Sequence, residues 1–144
     1  MDEFMNAAIE QARIGLAEGG IPIGSVLVKN HRIVGRGHNR RVQDRDPVAH
    51  AEIDCLRNAG RIGGYAGVVL YSTLTPCFMC AGAAIQFGIR KIVIGDTETY
   101  AETLDFLKAH GVEVVALKLA GCAQMLTDFA ASHPELWKED SGDL

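Results

Sequence analysis

The chain has 144 residues, a formal net charge of -4 and 48% hydrophobic residues. This length fits one domain with a substantial core, and the composition excludes a disordered tail. The acidic balance argues against a nucleic-acid partner, because phosphate contacts usually require a basic surface. Four arginines lie close together in the sequence and are expected to form a solvated loop face: Arg36, Arg40, Arg41 and Arg45.

The N-terminal segment indicates where the protein works. It opens with acidic residues and lacks the basic region and apolar core of a secretory signal peptide. No apolar run approaches the length of a transmembrane helix, so we expect a cytoplasmic protein without membrane contact. Cysteines stay reduced in that compartment, and a closely spaced pair therefore indicates a metal site before a disulfide.

The first half of the chain opens with a helix and a hairpin. Apolar residues at helical spacing predict a helix over residues 2–18. Two β-rich runs, 22–28 and 32–37, flank a short polar turn and predict a β-hairpin. Residues 38–47 are polar and rich in arginine, and are predicted to form a loop.

The rest of the chain alternates between helices and strands. Helices are predicted at about 48–59, 77–87, 101–110 and 122–130, and strands at 67–72, 90–94 and 112–117. Residues 132–144 form a short acidic tail that carries the only Trp. This order predicts one α/β domain, spanning residues 1–144, with a mixed sheet between helices.

The strongest chemical signal lies in two short segments, HAE at 50–52 and PCFMC at 76–80. The imidazole of His50 and the thiolates of Cys77 and Cys80 are suitable ligands for Zn²⁺. Three protein ligands leave a fourth position open, which is typical of a catalytic site. The two cysteines share one face at the start of a predicted helix, whose N-terminus favours the thiolate form.

Glu52, two residues after His50, is the candidate for proton transfer. Its spacing does not direct it to the same metal, but it can reach a water there and carry a proton to a substrate nitrogen. Zinc lowers the pKa of a bound water towards neutrality. Together, H-x-E and P-C-x-x-C form the signature of zinc deaminases.

Each part of this pattern has a less specific explanation when it stands alone. A C-x-x-C motif also occurs in redox-active and structural sites, and an H-x-E triplet carries little information. A structural zinc site with Cys55 or Cys122 as fourth ligand is the main alternative, although both are expected to be core residues. Such a structural site has no use for the carboxylate of Glu52.

The sequence resembles the cytidine deaminase-like superfamily, and within it the fungal-type cytosine deaminases. The resemblance covers nearly the whole chain and rests on GGIPIG (19–24), GRGHN (35–39), HAE (50–52), NAGRI (58–62), TLTPCFMC (73–80) and HPELWKED (133–140). It implies a three-layer α/β/α fold with a central mixed five-stranded sheet. It also implies one zinc ion per subunit, a homodimer, and a C-terminal tail lying over the active site.

The resemblance further implies how the chain binds a base through polar groups. Asn39 would hydrogen-bond the polar edge of the base, for which its amide offers both a donor and an acceptor. The backbone N–H of Ala51 would hold the base carbonyl. The exocyclic amine would meet the backbone carbonyl of Thr75 and the carboxylate of Asp140.

Three larger side chains complete the implied pocket. Trp137 would close over it from the tail, Tyr100 would stack on the base and Ile23 would pack beside it. Less specific roles remain open: a tail anchor for Trp137, a solubilising charge for Asp140 and a turn residue for Asn39. Tyr100 carries a hydroxyl where the fungal enzymes usually have a phenyl ring, which leaves the identity of the base open.

The function predicted first is deamination of a free small-molecule nucleobase, cytosine, to uracil and ammonia in pyrimidine salvage. One alternative is deamination of guanine or a related heterocycle, or of adenosine in a tRNA, since residues 73–85 also resemble the tRNA enzymes. The acidic charge and a tail over the site both argue against a flipped nucleotide. The remaining alternative is a non-catalytic zinc domain that binds a partner.

Overall fold

The computed structural model describes residues 2–142, so that Asp143 and Leu144, the end of the predicted tail, lie outside it. Its helices are α1 Glu3–Ala17, α2 Arg41–Asp44, α3 Ala51–Ala59, α4 Phe78–Phe87, α5 Glu102–Ala109, α6 Ala120–Ser132 and α7 Pro134–Ser141. Its strands are β1 Gly24–Lys29, β2 Arg32–His38, β3 Val69–Leu74, β4 Lys91–Asp96 and β5 Glu113–Ala116. No helix within the described range is long and apolar enough to cross a membrane.

The predicted strands and the five predicted helices are confirmed, with ends shifted by a few residues. Two short helices were not predicted, because neither carries an extended apolar pattern. In the presumed loop, α2 makes a single turn and ends at Arg45, whose φ is 53°. In the tail, α7 begins with Pro134, whose fixed φ suits a first helical position, and ends at Gly142.

The five strands form one mixed sheet, as expected, and their order in it is β2-β1-β3-β4-β5. Strand β1 is antiparallel to both neighbours, whereas β3, β4 and β5 run parallel. Asn30 and His31 connect β1 to β2 and have φ of 53° and 59°. Positive φ at both central residues is typical of a type I′ turn, whose twist matches that of a hairpin.

Successive side chains of each strand point to opposite sides of the sheet, and both sides carry apolar residues. On β1, Leu27 enters a core with Cys55 of α3, Ala81 of α4 and Leu107 of α5. Its neighbours Val26 and Val28 point to the opposite face and pack with residues of α1. Because helices cover both faces, the sheet is the middle of three layers, which confirms the predicted fold class.

A third apolar cluster lies at one end of the sheet. Its buried members are Ile21, Ile23, Ala51, Leu74, Leu126 and Phe129, joined by the half-buried Val42, Tyr100, Leu136 and Trp137. This cluster gathers the start of β1, the start of α3, the end of β3 and both C-terminal helices. Ligands of open α/β sheets bind beyond the carboxyl ends of parallel strands, where β3 ends at Leu74.

Candidate active site

The structure brings His50, Cys77 and Cys80 into one group whose ligand atoms all lie within 4.8 Å of one another. Nδ1 of His50 is 3.4 Å from Sγ of Cys77 and 3.7 Å from Sγ of Cys80. Zinc bonds of about 2.1 Å to nitrogen and about 2.3 Å to sulfur give a tetrahedral edge near 3.6 Å. One nitrogen and two sulfurs at these separations therefore fit zinc.

Two helix N-termini hold this group in place. His50 is the N-cap of α3 and Cys77 the N-cap of α4, and both have extended backbone. Helix α3 begins at Ala51, a few residues after the predicted start, so His50 is its cap and not part of its first turn. Neither cap side chain bonds its own helix, so both are turned to the common centre.

Hydrogen bonding within the group shifts the pKa values of the two thiols in opposite directions. The hydrogen bond with Cys80, assisted by His50, lowers the pKa of Cys77 to about 4. The same contact with Cys77, together with burial, raises the pKa of Cys80. One sulfur is thus a thiolate at neutral pH, and a divalent cation between the two favours deprotonation of the second.

Glu52 lies beside the metal-binding group and is almost completely enclosed, with 4% of its surface exposed. Burial, together with the negative charge of Cys77, raises the pKa of Glu52 to about 7. A carboxyl group with a pKa near neutrality can both accept and return a proton at physiological pH. The environment of Glu52 therefore suits acid–base chemistry.

A carboxylate from the C-terminal helix reaches the metal-binding group. Oδ1 of Asp140 lies 3.2 Å from Nε2 of His50 and 3.4 Å from Nδ2 of Asn39, and its side chain is only 1% exposed. Burial alone would lower the pKa of His50, but the hydrogen bonds with Asp140 and Cys77 raise it to about 10. A carboxylate on the outer nitrogen fixes the tautomer that presents Nδ1 to a metal.

The apolar residues expected around a base lie in the cluster at the end of the sheet. Ile23 and Ala51 are buried there, and Tyr100 and Trp137 pack against them with ring centroids 6.2 Å apart. Thr75 is buried directly after Leu74, and its N–H and hydroxyl both donate to the carbonyl of Asp96. Of the seven residues expected to contact a base, Asn39 and Asp140 contact each other beside His50. Ile23, Ala51, Tyr100 and Trp137 share one apolar cluster, and Thr75 follows that cluster's Leu74 in the chain.

Two expectations about isolated residues have different outcomes. Cys55 and Cys122 are buried in the core, away from the metal-binding group, as expected. The expectation of a solvated arginine face was wrong for two members. Arg40 pairs with Asp54, whereas Arg41 contacts the carbonyl of Pro47 and the carboxylate of Glu139.

Sequence reasoning also missed which charged groups pair around the site. Asp54, buried on α3, was not predicted as a site residue. Its position on a short helix, close to His50 and Glu52, could have indicated that its carboxylate faces the site. The contact between Asp140 and His50 joins residues far apart in the chain. Such pairs depend on how α7 docks, which the local pattern does not encode.

The chain belongs to the cytidine and deoxycytidylate deaminase zinc-binding family, whose model matches residues 1–96. The zinc fit of His50, Cys77 and Cys80 agrees with this membership. Since His50, Glu52, Cys77 and Cys80 all fall inside the matched range, the family covers every residue of the predicted signature. The protein is therefore a zinc-binding member of a deaminase family.

Individual relatives differ in what they act on. The chain is 37% identical over 142 residues to a cytosine deaminase of Candida albicans, covering 96% of this chain and 95% of the relative. It is 36% identical over 137 residues to a tRNA-specific adenosine deaminase of Buchnera aphidicola, covering 88% of this chain and 91% of the relative. A structure from a study of A-to-I editing by tRNA:A34 deaminases matches with a TM-score of 0.74 and 32% identity. The match covers 86% of this chain and 99% of the chain in that structure.

Proposed function

We propose that this protein is a zinc-dependent hydrolase that deaminates a free nucleobase, with cytosine as the substrate and uracil and ammonia as the products. The observation that carries the proposal is the position of Asp140. Its carboxylate lies within 3.4 Å of both a metal-ligand candidate and Asn39, so an exocyclic amine beside the metal meets an acceptor. The full-length similarity to a cytosine deaminase supports the same substrate.

The residues divide the work of this reaction between binding and proton transfer. Zinc, when bound by His50, Cys77 and Cys80, supplies a Lewis acid that makes water nucleophilic near neutral pH. Glu52 takes a proton from the attacking water and delivers it to the ring nitrogen next to the amine-bearing carbon. The water oxygen bonds to that carbon as a hydroxyl. Glu52 then moves the remaining hydroxyl proton to the amino group, the carbon–nitrogen bond breaks, and ammonia leaves as the ring carbonyl forms.

The base is held by polar groups on one side and by rings on the other. Asn39 and the N–H of Ala51 bind its polar edge, and the carbonyl of Thr75 and Asp140 accept from the amine. Tyr100 and Trp137 enclose its faces with apolar surface, which excludes bulk water and strengthens these hydrogen bonds. A buried set of donors and acceptors of this kind rejects a base with the wrong pattern.

Asp140→Asn is predicted to lower kcat/KM for cytosine about 100-fold, because the amine loses a charged acceptor and His50 loses its carboxylate partner. Steady-state kinetics and zinc content measured together separate the two causes. Glu135→Gln removes an exposed carboxylate from the same helix and serves as the control. An unchanged kcat/KM in Asp140→Asn would remove this residue from the binding scheme.

A second candidate substrate is adenosine in a tRNA, favoured by the similarity to tRNA-specific adenosine deaminases. Two features weigh against it. The net charge of -4 offers little attraction for a polyanion, and α7 brings Asp140 onto the metal-binding group where a flipped nucleotide would enter. A non-catalytic zinc domain is less favoured still, because it leaves the buried Glu52 without a role.

Ammonia release from a substrate panel tests the proposal. Zinc-loaded protein is incubated with cytosine, cytidine, guanine, adenine and an anticodon-loop RNA, in parallel with Glu52→Ala. Deamination of cytosine alone, absent in the variant, is the expected result. Turnover of guanine or of the RNA instead would overturn cytosine as the substrate, and turnover of nothing in the panel would favour the non-catalytic alternative.

We also propose a homodimer that forms through α4. Phe78 and Phe87 at the two ends of this helix are 56% and 48% exposed, and Met79 lies between them. Exposed aromatic and Met side chains are typical of the centre of an interface, and a twofold dimer buries the same surface of both copies. The position of Phe78 next to Cys77 would put the interface close to the metal-binding group.

Light scattering coupled to size-exclusion chromatography checks the dimer. The wild type is expected to elute as a dimer, and Phe78→Ser combined with Phe87→Ser as a monomer, since buried aromatic anchors dominate interface energies. Leu16→Ser changes another exposed apolar residue, 41% exposed on α1, and should leave the dimer intact. A monomeric wild type, or a dimer that survives the double substitution, contradicts the proposal.

A cytoplasmic role in pyrimidine salvage completes the proposal. All four cysteines are free, and two of them belong to the metal-binding group. A reducing compartment keeps such thiols available to zinc. Conversion of free cytosine to uracil would there return the base to nucleotide synthesis.

A further inference from the structure

Asn39 must be held accurately if it is to align a base with the proton-transfer residue Glu52. Asn39 is completely buried, and its Oδ1 accepts from the N–H of Arg41 at 3.0 Å while Nδ2 points to Asp140. It follows the last residue of β2, whereas Glu52 lies on α3. The alignment of the two therefore depends on what joins the end of β2 to α3.

One buried carboxylate makes that connection. Asp54 lies on α3, two residues after Glu52, and is 4% exposed. Its Oδ2 accepts from the backbone N–H of His38 at 3.0 Å, and both of its oxygens lie 3.2 Å from Nε of Arg40. The carboxylate thus contacts the residue before Asn39 and the residue after it.

The surrounding backbone leaves little freedom for this contact to shift. A Cβ atom added to Gly37 would lie 2.3 Å from the backbone nitrogen of Cys55, so β2 and α3 approach each other without an intervening side chain. Next to that contact, the carboxylate of Asp54 accepts from the N–H of His38, the last residue of β2. A second side chain, that of Gln43, donates to the carbonyl of Asn39 at 3.2 Å.

We propose that Asp54 is a positioning residue: by holding His38 and Arg40 it fixes the amide of Asn39 relative to Glu52 and so aligns a bound base for proton transfer. The inference rests on the proposed function insofar as Asn39 is assigned to the base. Asp54 itself lies outside the zinc-binding motifs. Its backbone N–H donates to the carbonyl of His50 at 2.8 Å, whereas its carboxylate bonds only His38 and Arg40.

The chemistry of the contact defines two graded substitutions. Asp54→Asn keeps the shape and can still accept from the N–H of His38, but it loses the charge that pairs with Arg40. Asp54→Ala leaves that buried N–H without a partner, which is the costlier change. The positioning role therefore predicts a larger effect for Ala than for Asn.

Kinetics on these variants test the proposal. Asp54→Asn is expected to raise KM for cytosine about tenfold, with a smaller change in kcat and full zinc content, because one charge-assisted contact is lost. Added to Asn39→Ala, the same substitution should change KM by less than about twofold, since Asp54 acts through Asn39. Additive losses in the double variant, or a wild-type KM in Asp54→Ala, would overturn the proposal.

A neighbouring core substitution controls for lost stability. Cys55→Ala removes a buried side chain from the next position of α3 without touching His38 or Arg40. It should lower Tm while leaving KM unchanged. If KM instead rises in proportion to the loss of Tm in every variant, including Cys55→Ala, then the role of Asp54 is only structural.

A binding measurement separates this inference from the proposed function. Trp137 is the only Trp in the chain, so its fluorescence reports a base at the site. Cytosine and guanine are titrated into the Glu52→Gln protein with and without Asp54→Asn. The proposed function fails if the wild type does not deaminate cytosine, whereas the positioning role fails if Asp54→Asn leaves the Kd of the better-bound base unchanged.

Discussion

Glu52→Gln is expected to reduce kcat for cytosine by about 10⁴-fold while the fold and the zinc content stay intact. General acid–base catalysis contributes about 10²- to 10⁴-fold for one group, and here a single carboxyl serves both transfers. Gln is nearly isosteric and fits the same enclosed space, but it cannot exchange a proton. Initial rates, circular dichroism and elemental analysis of the purified variant give the three readouts.

A control substitution at another glutamate tests whether the loss of kcat is specific to Glu52. Glu10→Gln changes an exposed residue of α1 and should keep wild-type kcat. Because burial raises the pKa of Glu52 to about 7, its proton lies within reach of physiological pH. A Glu52→Gln protein with even one-tenth of wild-type kcat would assign the proton transfer to another group.

Cys80→Ser is expected to abolish stable zinc binding, to remove activity, and to lower Tm by about 10 °C. Cys80 is buried at the start of α4, and serine is a poor ligand for zinc in place of a thiolate. A tightly bound ion adds about 4 kcal/mol of folding free energy at 1,000 times its Kd, and each kcal/mol moves Tm by a few degrees. Elemental analysis and differential scanning fluorimetry measure both consequences.

Cys122→Ser provides the control, since Cys122 is a buried thiol on α6 outside the metal-binding group. That variant should lose some stability but retain its zinc. Chelation of the wild type should reproduce the Tm shift of Cys80→Ser, and added zinc should reverse it. Full zinc occupancy in Cys80→Ser would mean that another residue supplies a ligand.

The zinc-binding motifs could be predicted from the sequence because their parts are local. Cys77 and Cys80 are three residues apart at the start of one helix, and His50 precedes another. The strands were predictable for the same reason, since alternation such as that of Val26, Leu27 and Val28 assigns side chains to the two faces. The identity of each element rests on a few adjacent residues.

The charged contacts around the site could not be predicted, because they join distant parts of the chain. Arg41 contacts Glu139, which lies 98 positions away in the sequence, and the half-buried Arg40 pairs with Asp54 on another element. Helix α7, short and polar, gave no periodic signal, yet it carries Asp140 onto His50. Such pairs form when helices and strands pack against one another, and the helix or strand propensity of single segments does not predict them.

Product analysis in oxygen-18-labelled water tests the central claim most directly. Zinc-loaded protein is incubated with cytosine in labelled water, and the products are measured by mass spectrometry together with an assay for ammonia. Hydrolytic deamination at this site predicts uracil carrying one labelled oxygen and one ammonia for each uracil formed. Unchanged cytosine, or a product without the label, would contradict the account.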